Sequence, residues 1–330
     1  MIHTIYCEHA IAEHPVTERI RQRFPRASWI PIERYGEVFN RRAQNFRLQK
    51  RRPALILAQK HGQLVLPAPP GYGIGHARNF YMSHMLNCVY DCRYCFLQGM
   101  YRSAHYVLFV NFEDFQTAMA ETLVQQAGAS TCFFSGYDCD SLALEPVSAY
   151  IENLLPFFEQ HPEATLELRT KSTQIRGLLK RPALPNVIVA FSFTPAELAA
   201  ALEHKTPGVT KRLAAMVQLQ AQGWPLGLRF DPLLYDPAFE QRYQQLFQTV
   251  FEQIDGNRLH SISFGPFRLP RDYFRTLTRL YPDEPLLAAE YSERDGMLSY
   301  PAATEQAMRA FCQQELSRYV PDNIIFPCDF

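Results

Sequence analysis

The sequence predicts an α/β fold: a partial (β/α)6 barrel preceded by a small α/β N-terminal domain. Two observations carry this. Six short apolar runs alternate with helix-like stretches, and such βα alternation implies a parallel sheet. The runs are apolar along their whole length, as expected of strands covered on both faces. The strands are expected at Tyr81–Leu86, Thr131–Ser135, Thr165–Arg169, Val187–Phe193, Leu226–Phe230 and His260–Phe264. Helices are expected at Phe112–Gln126, Pro146–Glu159, Thr173–Leu179, Thr210–Gln222 and Pro237–Gln253. Six units fall short of the eight of a closed barrel, so the sheet is expected to be open. Upstream, Thr4–Cys7, Ser28–Ile32 and Ala54–Ala58 read as strands, with Val16–Phe24 an amphipathic helix. The run Pro67-Ala68-Pro69-Pro70-Gly71-Tyr72-Gly73 breaks regular structure and marks the junction between a domain over residues 1–80 and one over 81–330. Gly71, Gly73 and Gly75 lack the spacing and the preceding buried strand of a dinucleotide loop and read as linker.

The composition is that of a globular chain, 47% hydrophobic and 20% charged. The start, MIHTIYCEHA, has no basic region followed by an apolar stretch, so no secretory signal is expected. Apolar runs such as Ala54–Ala58 and Val107–Val110 are too short to cross a membrane. A soluble, cytoplasmic protein follows, with its eight cysteines as reduced thiols and metal ligands. Thirty-three basic residues balance thirty-three acidic ones, without the basic excess of a dedicated nucleic-acid binder. One local stripe stands out: Arg41, Arg42, Arg47, Lys50, Arg51, Arg52 and Lys60. It reads equally as a phosphate-facing surface and as a solvated helix face and turn.

Cys88, Cys92 and Cys95 form a C-x3-C-x2-C pattern within one short loop. Three thiolates this close can converge on one small object. Four-iron clusters normally take four cysteines. A site with three leaves one iron open, and in the radical S-adenosylmethionine (SAM) superfamily the amino and carboxylate groups of SAM fill it. Zinc remains an alternative, since His84 or His105 would complete a Cys3His set. A disulfide reading is poor in a chain without an export signal. The cysteines follow the first barrel strand, Cys139 the second and Lys171 the third, while Ser192 ends the fourth. All lie at carboxyl ends of strands, where active sites of such sheets gather.

Taken together, these segments resemble the spore photoproduct lyase family of radical SAM DNA-repair enzymes, nearly end to end. The resemblance rests on the C-x3-C-x-Tyr-C-aromatic-Leu-Gln loop, here Cys88 to Gln98. Tyr137-Asp138-Cys139-Asp140-Ser141 stands where the family has Ala/Ser-Cys-Thr-Ser-Asp, Leu168-Arg169-Thr170-Lys171 for its Val-Thr-Lys, and Val189-Ala190-Phe191-Ser192 for its Arg-Phe-Ser. It implies a radical SAM barrel with a C-terminal extension, and a 4Fe-4S cluster on Cys88, Cys92 and Cys95. It implies SAM contacts from Ser141, Lys171 and Ser192, with Lys171 the partner of the SAM carboxylate. An electron entering the cluster would split SAM and release a 5′-deoxyadenosyl radical. Cys139 would return a hydrogen atom to the substrate radical after the lesion bond breaks, and Tyr94 would serve the hydrogen relay. The implied partners are a DNA or nucleotide-like substrate and an electron donor such as flavodoxin or ferredoxin. The reaction would be lyase-like carbon–carbon bond cleavage, in its specific form the repair of a thymine photoproduct.

Two departures separate this chain from the family pattern. The family has tyrosines on both sides of the last cluster cysteine; here Tyr94 is kept but the other is Phe96, which has no O–H to pass on. The family's lesion-binding hairpin is rich in Lys, Arg and Tyr. The similar region here, Glu290 to Tyr300, carries three acidic residues and one arginine. Acidic groups repel phosphates. Radical chemistry on a different substrate is therefore a second reading, and a non-catalytic zinc module a third. Cys132 reads as core. Cys7, Cys312 and Cys328 have no assigned role, with Cys328 expected to be exposed and reactive.

Overall fold

The computed structural model describes residues 2–328. In chain order its first strands are β1 (Thr4–Glu8), β2 (Ser28–Ile32), β3 (Leu55–Ala58), β4 (Val65–Pro67), β5 (Arg78–Met82), β6 (Met85–Leu86), β7 (Asp91–Cys92) and β8 (Tyr106–Phe109). Then come β9 (Thr131–Ser135), β10 (Ala164–Thr170), β11 (Val187–Ser192), β12 (Glu203–His204) and β13 (Leu226–Leu233). The last are β14 (Leu259–Pro266), β15 (Arg268–Pro270), β16 (Ser292–Arg294), β17 (Met297–Ser299) and β18 (Ile325–Pro327).

Five strands form a sheet in the order β2-β1-β3-β8-β6, parallel except for β6. The helix Pro15–Arg23 makes the crossover from β1 to β2 and starts cleanly, with proline in its first turn and His14 accepting the Val16 N–H. The second sheet runs β18-β14-β13-β11-β10-β9-β5-β4. Its seven strands from β5 to β18 are parallel, β4 is antiparallel at one edge, and β4 does not pair with β18, so the barrel stays open. This is the partial barrel expected from the alternating βα pattern. Every residue of β9 and β11 is buried, because helices cover the outside and the inner face holds a packed interior.

The first barrel strand differs from its expected span. Arg78–Met82 pairs with β9, and the chain then leaves the barrel so that Met85–Leu86 pairs with β8 in the other sheet. Apolar residues continue across this break, which is why Tyr81–Leu86 reads as one strand. The expected helix at 146–159 is two helices, Glu145–Ser148 and Tyr150–Gln160, parted by Ala149 in the left-handed region. The edge strands β4 and β18 have only three residues and end in proline, too little for a periodic signal.

The barrel interior contains charge. Glu167 of β10 and Arg229 of β13 are fully buried and meet in a two-point pair at 2.7 and 3.1 Å. Arg229 also donates to the Ser261 hydroxyl at 2.8 Å and to the Ser261 carbonyl at 3.0 Å. Burial opposes the charge on Glu167, but Arg229 and Arg169 hold its carboxyl below the usual carboxylate range. A pair this well hydrogen-bonded offsets its own desolvation, and removing one partner would strand the other.

The edge strand β18 corrects one expectation. Cys328 is buried, not exposed, because β18 carries it against β14, where its N–H donates to the Phe264 carbonyl. Cys132 lies in the core as expected, Cys7 and Cys312 are also buried, and all eight cysteines are free. Among the described residues no helix is long and apolar enough to cross a membrane.

Candidate active site

The loop holding the three cysteines is shaped by Asn87. Its φ of 71° lies in the left-handed region, which asparagine tolerates better than most residues. Its side chain donates to the carbonyls of Ser103 and His105 at 2.8 and 3.1 Å and accepts the Cys88 N–H at 3.1 Å. The loop is fixed again at its centre, where β7 pairs antiparallel with β12 and sets Cys92 opposite Glu203. From behind, Lys50 donates to the carbonyls of Tyr90 at 3.0 Å and Cys88 at 3.4 Å. Cys88, Cys92 and Cys95 then line one wall of a cavity of about 590 Å³ at the carboxyl ends of the barrel strands.

Cys139 lines the same cavity, so the structure brings it together with the three cysteines. Its loop depends on Gly136, at φ +90°, where an added Cβ would lie 2.6 Å from the Ser141 hydroxyl and 3.0 Å from the Arg169 carbonyl. Asp140 organises the rest. One carboxylate oxygen accepts from the N–H groups of Leu142 and Ala143 and from the Thr170 hydroxyl, and the other accepts the Lys171 N–H at 2.6 Å. Asp140 thus ties the loop after β9 to the end of β10. Behind Cys139 stands His84, whose Nδ1 lies 4.0 Å from the Cys139 sulfur and whose ring stacks on Tyr150 at 3.7 Å. Burial, and then Lys60, push the His84 pKa down to about 3, so its imidazole is neutral. Burial also raises the Cys139 thiol well above its usual range, so it stands as S–H.

Lys171 and Ser192 both face the cavity. The Lys171 ammonium sits 3.9 Å from Glu203 and over the Tyr94 ring at 5.6 Å. Glu203 is fully buried and heavily shared: Tyr94 donates its hydroxyl to one oxygen, Thr194 donates to the same oxygen at 3.0 Å, and Arg212 donates to the other. Burial opposes its charge, yet Lys171 and Arg212 hold its carboxyl below the usual range. Arg212 continues to the Ser192 carbonyl at 3.0 Å, so one network fixes the β7 loop, Lys171 and the end of β11. Ser141 is placed differently. It stands behind the wall, with its hydroxyl 3.2 Å from that of Ser135 and its N–H donating to the Arg169 carbonyl.

The outer part of the cavity is aromatic and cationic. Phe96, Tyr72, Tyr137 and Tyr273 line it, and Tyr137 lies 5.8 Å from Phe96 and 4.4 Å from Tyr81 between ring centroids. Arg169 and Arg268 flank Asp231 at 3.8 and 3.4 Å, and Arg169 lies over Tyr72 at 5.0 Å. The β16–β17 hairpin turns on Asp295-Gly296, both at positive φ, and sends Met297 into the cavity wall. Two of its charges are paired: Glu293 with Arg271 at 3.1 Å, and Arg294 with Glu305 at 2.5 Å.

Asn87, Asp140, Glu203 and the Arg169–Asp231–Arg268 group were not singled out by the sequence. The first two act on neighbouring backbone, for which an asparagine or aspartate beside a cysteine motif is a usable signal. Glu203 and Asp231 gain meaning only when distant segments of the chain meet around them.

The donor set decides what the wall can hold. A tetrahedral zinc needs its sulfur ligands about 2.3 Å from one point. Among the described residues no three His, Cys, Asp or Glu side chains close on such a point. The histidines that would complete a zinc set are engaged elsewhere: His84 faces Cys139 and Tyr150, and His105 accepts the Ala54 N–H at 3.0 Å. Three thiols lining a cavity of about 590 Å³ leave room for an object larger than a single ion. Burial pushes the Cys88 thiol up to about 12, and metal binding would displace its proton. An open parallel barrel with a three-cysteine loop beyond its first strand, facing a lysine and a serine on neighbouring strand ends, is the arrangement of a radical SAM enzyme.

Comparison with known proteins narrows the class. The family model for spore photoproduct lyase matches residues 78–325. The chain belongs to the spore photoproduct lyase family. Spore photoproduct lyase of Bacillus subtilis (strain 168) is 22% identical over 245 residues, covering 71% of this chain and 72% of that protein. The enzyme of Geobacillus sp. (strain Y412MC61) is 23% identical over 198 residues, covering 59% and 58%. The solved structure of a spore photoproduct lyase double mutant with bound AdoMet and dinucleoside spore photoproduct superposes with a TM-score of 0.87 at 17% identity, covering 100% of this chain and 99% of that one. A complex of the lyase with dinucleoside spore photoproduct gives 0.84 at 17% identity over the same shares.

Proposed function

We propose that this chain is a radical SAM lyase that repairs a thymine photoproduct in DNA or in a nucleotide-like fragment, by carbon–carbon bond cleavage. The observation that carries this reading is a single cavity lined by the three cysteines, Lys171, Ser192 and Cys139. Cys88, Cys92 and Cys95 would hold a 4Fe-4S cluster, and Lys171 and Ser192 would hold SAM against it. When bound, this pair supplies a 5′-deoxyadenosyl radical that removes a hydrogen atom from the substrate.

The chain's own residues do the rest. Lys171 presents its ammonium to a carboxylate, oriented by Glu203. Ser141 supports the same wall through Ser135 and the Arg169 carbonyl. Arg169 and Arg268, both held by Asp231, add positive charge to the cavity lining, and the faces of Phe96 and Tyr137 suit a nucleobase. Cys139, kept as a thiol by burial, returns a hydrogen atom through an S–H bond weaker than most C–H bonds. Tyr94 donates its hydroxyl to Glu203 and serves the hydrogen relay from there.

In this reading the 1–80 unit braces the cysteine loop through Lys50 and adds Tyr72 to the cavity, and the 81–330 unit supplies the rest of the cofactor and substrate site. The test is anaerobic turnover of dinucleoside spore photoproduct by the parent and by Cys139→Ala. The parent should release repaired dinucleoside, and Cys139→Ala should cleave SAM but give trapped or side products. Identical product and yield from the two proteins would remove Cys139 from the mechanism. SAM cleavage without lesion loss would favour the second reading, radical chemistry on another substrate, which the acidic residues Glu290, Glu293 and Asp295 support.

A further inference from the structure

The site described above leaves the basic stripe unused. Between Glu37 and Asp91 the sequence has no acidic residue, in a chain whose charges balance only over its whole length. The centre of that segment is the helix Phe46–Arg51. Its inner face carries Phe46 and Lys50, both buried. Its outer face presents Arg47 and Arg51, four residues apart and both exposed, with Arg52 at the helix end. Among them stands Leu48, 59% exposed and one of few large apolar side chains in the open. Exposed apolar contact ringed by arginines is the composition of a protein-docking surface.

This surface is wired to the cysteine loop. Lys50 reaches from the helix to the carbonyls of Cys88 and Tyr90. Lys205, exposed, donates to the Lys50 carbonyl at 3.0 Å and adds a further positive charge. Arg93, within the loop itself, lies over Tyr281 at 4.0 Å. Asp91, in the loop, is buried and answered by Arg93 at 3.1 Å and Lys50 at 4.0 Å. No residue of the helix lines the cavity. The patch therefore lies outside the substrate's cavity while touching the loop that would carry the cluster.

We infer that the Arg47–Leu48–Arg51 face is the docking surface for a small acidic electron-carrier protein that reduces the cluster. The inference rests on the radical SAM reading. One electron passes from the reduced carrier to the cluster and leaves the carrier oxidised by one electron; no bond in this chain forms or breaks. The arginine ring would steer an acidic partner, so association should weaken as salt rises.

The probe is a bacterial flavodoxin, titrated anaerobically into the iron-loaded protein by calorimetry at low salt. Arg47→Glu/Arg51→Glu and, separately, Leu48→Ser should each weaken binding at least about tenfold, which is about 1.4 kcal/mol. Both variants should keep parental iron content, melting temperature and SAM cleavage under dithionite, which needs no docking. Flavodoxin affinity equal to the parent's in both variants overturns the inference. So does a variant that loses affinity for a single-stranded oligonucleotide but not for flavodoxin, which would make the patch a nucleic-acid surface. Absence of dithionite-driven SAM cleavage in the parent would instead strike at the radical SAM reading itself.

Discussion

Glu203→Gln tests whether the inner end of the cavity is held by one buried charge network. The side chains of Glu203 and Arg212 are both fully buried. Glutamine keeps an acceptor for Tyr94 and Thr194 but removes the negative charge. Arg212 would retain the carbonyls of Pro207 at 2.7 Å and Ser192 at 3.0 Å and the Thr206 hydroxyl at 3.0 Å. It would lose its counter-charge, and Lys171 would lose its neighbour. Breaking a buried pair on one side costs about 3–5 kcal/mol. Unfolding entropy of about 2.1 cal/mol/K per residue over 330 residues gives about 0.7 kcal/mol/K, so the midpoint should fall by about 4–7 °C. Scanning calorimetry of the iron-free protein reads this directly. The double variant Glu203→Met/Arg212→Met should recover part of the loss, since an apolar replacement strands no charge. A Glu203→Gln midpoint within about 1 °C of the parent would refute the network as a structural element.

Other outcomes follow from the same geometry. Lys171→Ala should leave iron content unchanged and weaken SAM binding by about 1.5–3 kcal/mol, roughly 10- to 150-fold, in anaerobic calorimetry; unchanged affinity would remove Lys171 from the SAM site. Burial raises the Glu145 carboxyl from its usual 4.5 to about 7, so the folded state holds this proton more tightly than the unfolded state does. The stability it contributes is complete below pH 4.5 and is lost as pH rises through 7. Glu145→Gln, which cannot ionise, should therefore gain on the parent by at most about 3 kcal/mol at pH 8 and little at pH 5. An equal difference at the two pH values would show that burial does not raise this group. Phe96→Tyr places a phenol near Tyr137 on the cavity wall and should raise lesion turnovers per SAM consumed, and no change in that ratio would exclude a relay through this position.

The barrel was legible because its strands are apolar runs separated by amphipathic helices, and both periods survive folding. The cysteine loop stood out because its three thiols are adjacent in sequence. Lys171, Ser192 and Cys139 stood out by their place after strands, and in the structure all three line one cavity. The departure of the chain after Met82 was hidden because the apolar run continues through Met85 and Leu86 into another sheet. Glu203 lies in a two-residue strand with no periodic signal, and its partners come from segments over a hundred residues away in one case, Tyr94. Cys328 looked exposed because it is near the chain end, and only the β14–β18 pairing reveals its burial. Features written in local spacing could be read, while those made by distant segments meeting could not.

The central claim is that Cys88, Cys92 and Cys95 make this cavity the seat of radical SAM chemistry. Its most direct measurement is 5′-deoxyadenosine released from SAM under dithionite, with iron and sulfide assayed on the same anaerobic samples. The reconstituted parent should bind about four irons and release 5′-deoxyadenosine, and Cys92→Ala should lose both. A Cys92→Ala protein that keeps its full iron complement and still cleaves SAM, or an iron-loaded parent that never does, would contradict the account.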